Sequence, residues 1–330
     1  MGDLKFSVIT GTLGSLGDRF LGGGYKEDVT LEEKLRRLSG IRDLGGVELC
    51  YDREGDESDP AAVKALLGKY GLAATAVNAP LSGRRRWASG TFTSIDVKVR
   101  KAATDTVRET IDFARAVGSL MVNLWLGQDG FDYPFQSDYG RQWDLLAEGI
   151  RTCAGHDPGM RLALEFKPRE PRNRCFLDSA STTLLMVREI GSDNVGVTVD
   201  VGHVLQDGRN MAREVEMTAR AGSLFNLHMN DNYATWDDDM IVGSVHLVEF
   251  VELFYVLRKA EYGGWCAADI FPFREDAFRA TEECVEYMKL YDAMVDAVGM
   301  EEIARMRGAD AAESMKRLRL SLFGKLTGGR

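Results

Sequence analysis

The 330-residue chain has no CxxC pair, and its five cysteines (Cys50, Cys153, Cys175, Cys266, Cys284) are scattered and odd in number. That pattern excludes a disulfide framework and reads as reduced thiols in a reducing compartment. Positive charge is in deficit: 41 Lys and Arg stand against 51 Asp and Glu, with formal net charge −10 and pI near 5.1. Nucleic-acid binding needs a basic face for the phosphates, so a nucleic-acid partner is excluded. No apolar run approaches the roughly 18 residues of a membrane span, so no membrane partner is expected. The start, MGDLKFSVITGTLG, lacks a basic segment followed by a long apolar one. No signal peptide is therefore expected, and a cytoplasmic location is. No GxGxxG follows the first strand candidate, which removes the main reason to prefer an open dinucleotide-binding sheet.

What is present is an alternation. Short β-rich runs occur at KFSVIT (5–10), GVELCY (46–51), AATAVN (73–78) and LMVNLWL (120–126). Four more follow at RLALEF (161–166), VGVTVDV (195–201), LFNLHM (224–229) and WCAADIF (265–271). Segments with helical spacing of apolar residues separate them, such as DPAAVKALLGKYG, where Asp59, Pro60 and Gly71 are start and stop signals. Strands alternating with helices predict parallel pairing through crossovers. Eight such units over residues 1–295 predict a (β/α)₈ TIM barrel, with residues 296–330 a C-terminal helical extension.

In such a barrel, chemistry sits at the carboxyl ends of the strands. The fifth strand candidate ends in Glu165, with Lys167 on the same face two residues on. The sixth ends in Asp200, with His203 three residues later; the seventh ends in His228; the eighth carries Asp269 inside an apolar run. Taken singly, each reads as a helix cap or a structural hydrogen bond, and Glu165 with Lys167 as an ion pair. Together they place four costly groups at equivalent points of four successive strands. An unpaired buried carboxylate is heavily penalised, and a divalent cation shared by all four would remove that penalty. Downstream, LHMNDNYATWDDDM sets Asp237, Asp238 and Asp239 in a row, which as a bare charge run would be a solvated loop. His156 and His246 read as structural.

EFKPREPR (165–172), VDVGH (199–203) and HMNDNYATWDDDMIVGS (228–244) resemble the xylose-isomerase-like superfamily of TIM-barrel sugar isomerases and epimerases. Their spacing looks most like that of the two-metal aldose–ketose isomerases of the L-rhamnose isomerase type. The stretch VNLWLGQDGFDYPFQSDY (122–139) is similar to the fourth-strand loop of that type. The resemblance implies one metal held by Glu165, Asp200, His228 and Asp269. It implies a second held by His203, Asp237 and Asp239, with Asp238 facing elsewhere. Oxygen and imidazole ligands without thiolate favour Mn²⁺, Mg²⁺ or Co²⁺, one or two per subunit. It also implies a hydride shift between C1 and C2 of a sugar substrate, with Glu165, Lys167 and Asp237 as catalytic residues. Trp125, Lys167, Asn78 and Asn230 would bind substrate, and Asn230 and Asp231 would orient the ligands.

The chain departs from the pattern at the third strand, which ends in Asn78 where the isomerases usually carry a ring-opening histidine. Another group would open the ring, or the substrate is not a cyclic aldose. A ketose 3-epimerase and the catalytic subunit of a metal-dependent C-glycoside-cleaving lyase are the alternatives, the lyase requiring a small partner subunit. A metal-dependent endonuclease of the same superfamily would need more than four histidines and a basic face. The basic stretch GRRRWASG (83–90) reads as a solvated loop or as a contact for an anionic substrate. A homo-oligomer is expected.

Overall fold

The structure, a computed structural model, describes residues 4–52, 55–56, 58–308 and 310–324. Eight parallel strands form a closed barrel. They are β1 (Lys5–Ile9), β2 (Leu44–Cys50), β3 (Ala73–Asn78), β4 (Met121–Trp125), β5 (Arg161–Glu165), β6 (Val195–Asp200), β7 (Leu224–Met229) and β8 (Trp265–Ala268). Neighbours in sequence are neighbours in the sheet, and β1 closes the ring on β8 from Lys5↔Trp265 to Val8↔Ala268. The expected strands are all present.

The helices are α1 (Leu31–Leu38), α2 (Pro60–Tyr70), α3 (Val97–Val117), α4 (Tyr139–Ala154), α5 (Ala180–Ile190), α6 (Val201–Gln206), α7 (Met211–Arg220), α8 (Leu247–Lys259) and α9 (Ala277–Val298). Local signals explain most of their starts. The side chains of Thr30, Asp59, Asp96, Asp138, Ser179, Asn210 and Asp276 each accept a hydrogen bond from a first-turn N–H. Gly71 ends α2 at φ 67°, a left-handed cap that favours glycine. The helical extension is present as α10 (Met300–Met306) and α11 (Ala311–Phe323); residues 325–330 of it lie outside the described residues.

Alternation along β5 sends Leu162 and Leu164 toward the helices and Glu165 toward the barrel axis. Both leucines are fully buried in a core layer that also holds Leu35 and Leu38 of α1, Leu67 of α2, Ile111 of α3 and Phe250 of α8. Near the amino-terminal end of the barrel, Ala76, Met121 and Ala163 pack with Phe225, and the Arg161 guanidinium lies 5.1 Å from that ring's centroid. The opposite end carries a small antiparallel sheet in which Gly130–Phe131 pairs with Asn173–Cys175, which pairs with Arg169–Glu170. It ties the loop after β4 to the loop after β5. Among the described residues no disulfide forms, and no helix is long and apolar enough to cross a membrane.

Candidate metal centre

At the carboxyl ends of β5 to β8, Glu165, Asp200, His228 and Asp269 offer ligand atoms that all lie within 4.8 Å of one another. Four successive strands bring them there. Glu165 and Asp200 terminate β5 and β6, and His228 pairs in register with Asp200 from β7. Asp269 sits one residue past β8, where its N–H still donates to the Met229 carbonyl at 3.1 Å. His228 Nδ1 faces Asp269 Oδ2 at 3.1 Å, Glu165 Oε1 at 3.4 Å and Asp200 Oδ2 at 3.9 Å. That nitrogen is buried and makes no well-aligned hydrogen bond. A buried ring nitrogen without a partner, ringed by three carboxylates, is the environment a divalent cation fits.

A second group gathers Asp200, His203 and Asp237, again with ligand atoms within 4.8 Å of one another. The short helix α6, which sequence reasoning did not foresee, brings His203 in: Asp200 caps it by accepting from His203 N–H at 3.0 Å. His203 Nδ1 donates to the Phe166 carbonyl at 2.8 Å, so Nε2 is left to face Asp237 Oδ2 at 3.1 Å. Asp200 therefore belongs to both groups. Asp239 was expected in the second; it lies nearby at φ 47° but outside the gathered set. Asp238 does face elsewhere, accepting from Tyr233 N–H at 3.1 Å.

Each charge in these groups shifts its neighbours. Burial raises the Glu165 carboxyl, but His228 outweighs it and holds the group down at about 2. Burial pushes Asp200 up to about 7, opposed by His203 and reinforced by Asp237 and Asp269. Burial lowers His203, yet Asp200 and Asp237 bring it up to about 9. Burial with Asp237 and Asp269 raises Asp239 well above the ordinary range. Acids held this close repel one another, which adds to burial in raising Asp200 and Asp239, while the imidazoles and Lys167 beside Glu165 and Asp237 offset part of that repulsion.

Lys167 does not pair with Glu165. Its ammonium lies 2.5 Å from Glu170 and 2.8 Å from Asp237, and 5.5 Å from the centroid of the Trp125 ring. Burial works against its charge, but Asp237 and Glu170 prevail and hold it above the usual lysine value. Asn230 donates to both Asp200 oxygens at 3.1 Å. Asp231 instead anchors the start of α8, accepting from Val245 N–H, His246 N–H and the His246 ring. His246 is thus structural, as is His156, which bonds Asp112 at 2.8 Å. In the basic loop, Arg84 pairs with Asp52 at 2.8 Å and Trp87 is fully buried, so much of that segment is packed.

Sequence reasoning missed a buried polar layer beside the ligands. Glu48, Asn123, Thr198 and Asn226 are fully buried within β2, β4, β6 and β7. Asn123 donates to Glu165 at 2.6 Å and to Asn78 Oδ1 at 2.8 Å, and accepts from Thr198 Oγ1 at 2.6 Å. Asn78 also donates to Glu48 at 3.3 Å. The available signal was a polar residue inside an apolar run, as in GVELCY and LMVNLWL.

Comparison with known proteins places the fold. The chain is 28% identical over 207 residues to the xylose isomerase of Thermus thermophilus, an alignment covering 61% of this chain and 54% of that one. The chain thus spans little more than half the length of the curated relatives it matches. Among solved structures, a xylose isomerase domain protein from Alicyclobacillus acidocaldarius is similar at TM-score 0.67 and 18% identity, covering 88% of this chain and 99% of that one. An L-ribulose 3-epimerase is similar at TM-score 0.68 and 16% identity, covering 94% and 99%. The model of the xylose isomerase-like TIM barrel matches residues 41–291, well over half of the sequence, and the chain belongs to that family.

Proposed function

We propose that this chain is a divalent-metal-dependent sugar isomerase that interconverts an aldose and a ketose, of the two-metal L-rhamnose isomerase type. The observation that carries this reading is the pair of ligand groups meeting at Asp200, with the Lys167 ammonium beside them on Asp237. Glu165, Asp200, His228 and Asp269 would hold one cation, and His203 and Asp237, with Asp200 between, a second. When bound, such cations supply Lewis acidity toward adjacent oxygens of an open-chain sugar. Lys167 stays protonated and stabilises negative charge developing on a substrate oxygen. Trp125 walls the site on the β4 side and excludes water from it. Asn230 fixes the Asp200 carboxylate, and the Phe166 carbonyl fixes the His203 ring. Asn78 is engaged by Glu48 and Asn123 and carries no titratable proton. It does not open a sugar ring, so the substrate arrives open or is opened elsewhere.

That same observation keeps one second reading: a lyase acting on a 3-oxo-C-glycoside needs no ring opening. The test is turnover of aldoses, ketoses and one 3-oxo-C-glycoside in deuterated water by Mn²⁺-loaded protein, read by product mass. Ketose formed from aldose without deuterium at carbon is the expected result, the mark of a hydride shift. Deuterium gained at carbon with inverted configuration assigns a proton-transfer epimerase instead. Release of an aglycone assigns the lyase, and no turnover on any of these overturns the proposal.

A further inference from the structure

Glu48 is a fully buried carboxylate on β2, a strand that contributes no residue to either ligand group. Its three side-chain partners all present donors. Oε1 accepts from Asn226 Nδ2 at 2.7 Å. Oε2 accepts from Asn78 Nδ2 at 3.3 Å and lies 3.1 Å from His228 Nε2. Amide groups are oriented by such networks, and here both amides point N–H at the same carboxylate. The imidazole of His228 is thus gripped at Nε2 by an acceptor, while Nδ1, on the other side of the ring, faces Glu165, Asp200 and Asp269. A neutral imidazole carries one N–H, so an acceptor on Nε2 directs the lone pair to Nδ1.

Resting on the metal reading above, we infer that Glu48 is a positioning residue for the metal centre: it holds the Nε2–H of His228 and aims the Nδ1 lone pair at the cation. Glu48 touches neither metal nor substrate. A carboxylate hydrogen-bonded to the far nitrogen of a ligating imidazole fixes the ring and makes it a stronger ligand. Asn226 and Asn78 hold Glu48 in turn, so the barrel interior preorganises one side of the site before any cation arrives. Gln keeps an acceptor on His228 and Asn78 but loses the charge. Its NH₂ would meet Asn226, whose Oδ1 has no other partner and can turn to accept, so E48Q removes the carboxylate's strengthening of the ligand with little change of shape.

The experiment pairs Mn²⁺ titration, followed by electron paramagnetic resonance, with long-range ¹H–¹⁵N spectra of the Zn²⁺-loaded protein. The His228 signals are assigned by their loss in H228N. The expected results are an N–H on Nε2 of His228 in the wild type, and Mn²⁺ affinity weakened about 10–100-fold in E48Q. Equal Mn²⁺ affinity in a folded E48Q overturns the inference and leaves the metal reading standing, whereas an N–H on Nδ1 of His228 in the zinc-loaded wild type takes His228 out of the ligands and overturns both. Failure of the wild type to take up Mn²⁺ overturns the metal reading itself, and this inference with it. Should E48Q fail to fold, the wild-type spectrum still decides where the proton sits.

Discussion

At the residue scale, the candidate ligands stand out in the sequence because charges are conspicuous at the end of an apolar run. Glu165, Asp200, His228 and Asp269 each interrupt a strand-like sequence, and the structure brings all four together. Glu48 interrupts one equally, but two residues before its strand ends, where a search of strand ends does not look. Asn123 and Asn226 carry no charge, and their cost of burial shows only once their partners are known. Gly202 is a further case, because its need is steric. A Cβ there would lie 1.8 Å from Asn230 Oδ1 and 2.8 Å from Asp237 Oδ1. Gly202→Ala should therefore displace the amide that holds Asp200 and weaken Mn²⁺ binding about tenfold or more, measurable by calorimetric titration. Unchanged affinity would mean that Asn230 does not orient the ligand. His228→Ala removes a ligand atom and should abolish Mn²⁺ uptake at the first site while leaving the protein folded, checked by titration and circular dichroism.

At the element scale, caps and turns were readable because they are local. Asp276 accepts from Phe278 N–H and Arg279 N–H, both at 3.0 Å, and opens the 22-residue helix α9. Its ion pair with Arg37 is solvent-exposed and adds little. Asp276→Ala should cost about 0.5–2 kcal/mol by urea denaturation, nearly all of it from the lost cap. The small sheet over the barrel mouth was not readable. Its strands are two or three residues long, and while Arg169–Glu170 and Asn173–Cys175 form a local hairpin, Gly130–Phe131 joins it from the loop after β4, so no periodicity announces them. Gly243 joins the two ranges. It sits at φ 68° in the loop before α8, and an added Cβ would fall 2.2 Å from Tyr291 Oη of α9. Tyr291 is fully buried and donates to the Gly243 carbonyl at 2.7 Å, so it has nowhere to retreat. Gly243→Ala should destabilise by at least the ~1–3 kcal/mol of left-handed strain, with the clash added, and lower the melting temperature accordingly.

At the scale of the whole molecule, the barrel holds acids together that would otherwise separate. Closure of β1 on β8 and burial of the surrounding core supply the stability against which that repulsion is set. Leu35→Ala in the fully buried core of α1 should cost about 2–5 kcal/mol in denaturant unfolding. A ligand that binds only the folded state adds RT ln(1 + [L]/Kd), about 2.7 kcal/mol at a hundred times Kd. Mn²⁺ should therefore raise the melting temperature in a concentration-dependent way and a chelator should reverse it. A melting curve indifferent to both would remove the cation from the site.

The sequence by itself determined the eight alternating units, the parallel barrel they build, most helix caps and the acids and histidines at successive strand ends. Each of these follows from periodicity, from local hydrogen bonding or from the cost of burying charge, and all of them act within a few residues. Only the tertiary structure decided that Asp200 belongs to both ligand groups, that Lys167 turns to Glu170 and Asp237, and that Glu48 grips the far side of His228. Those pairings span up to 180 positions, and their geometry is set by the stagger and tilt of strands around a closed ring.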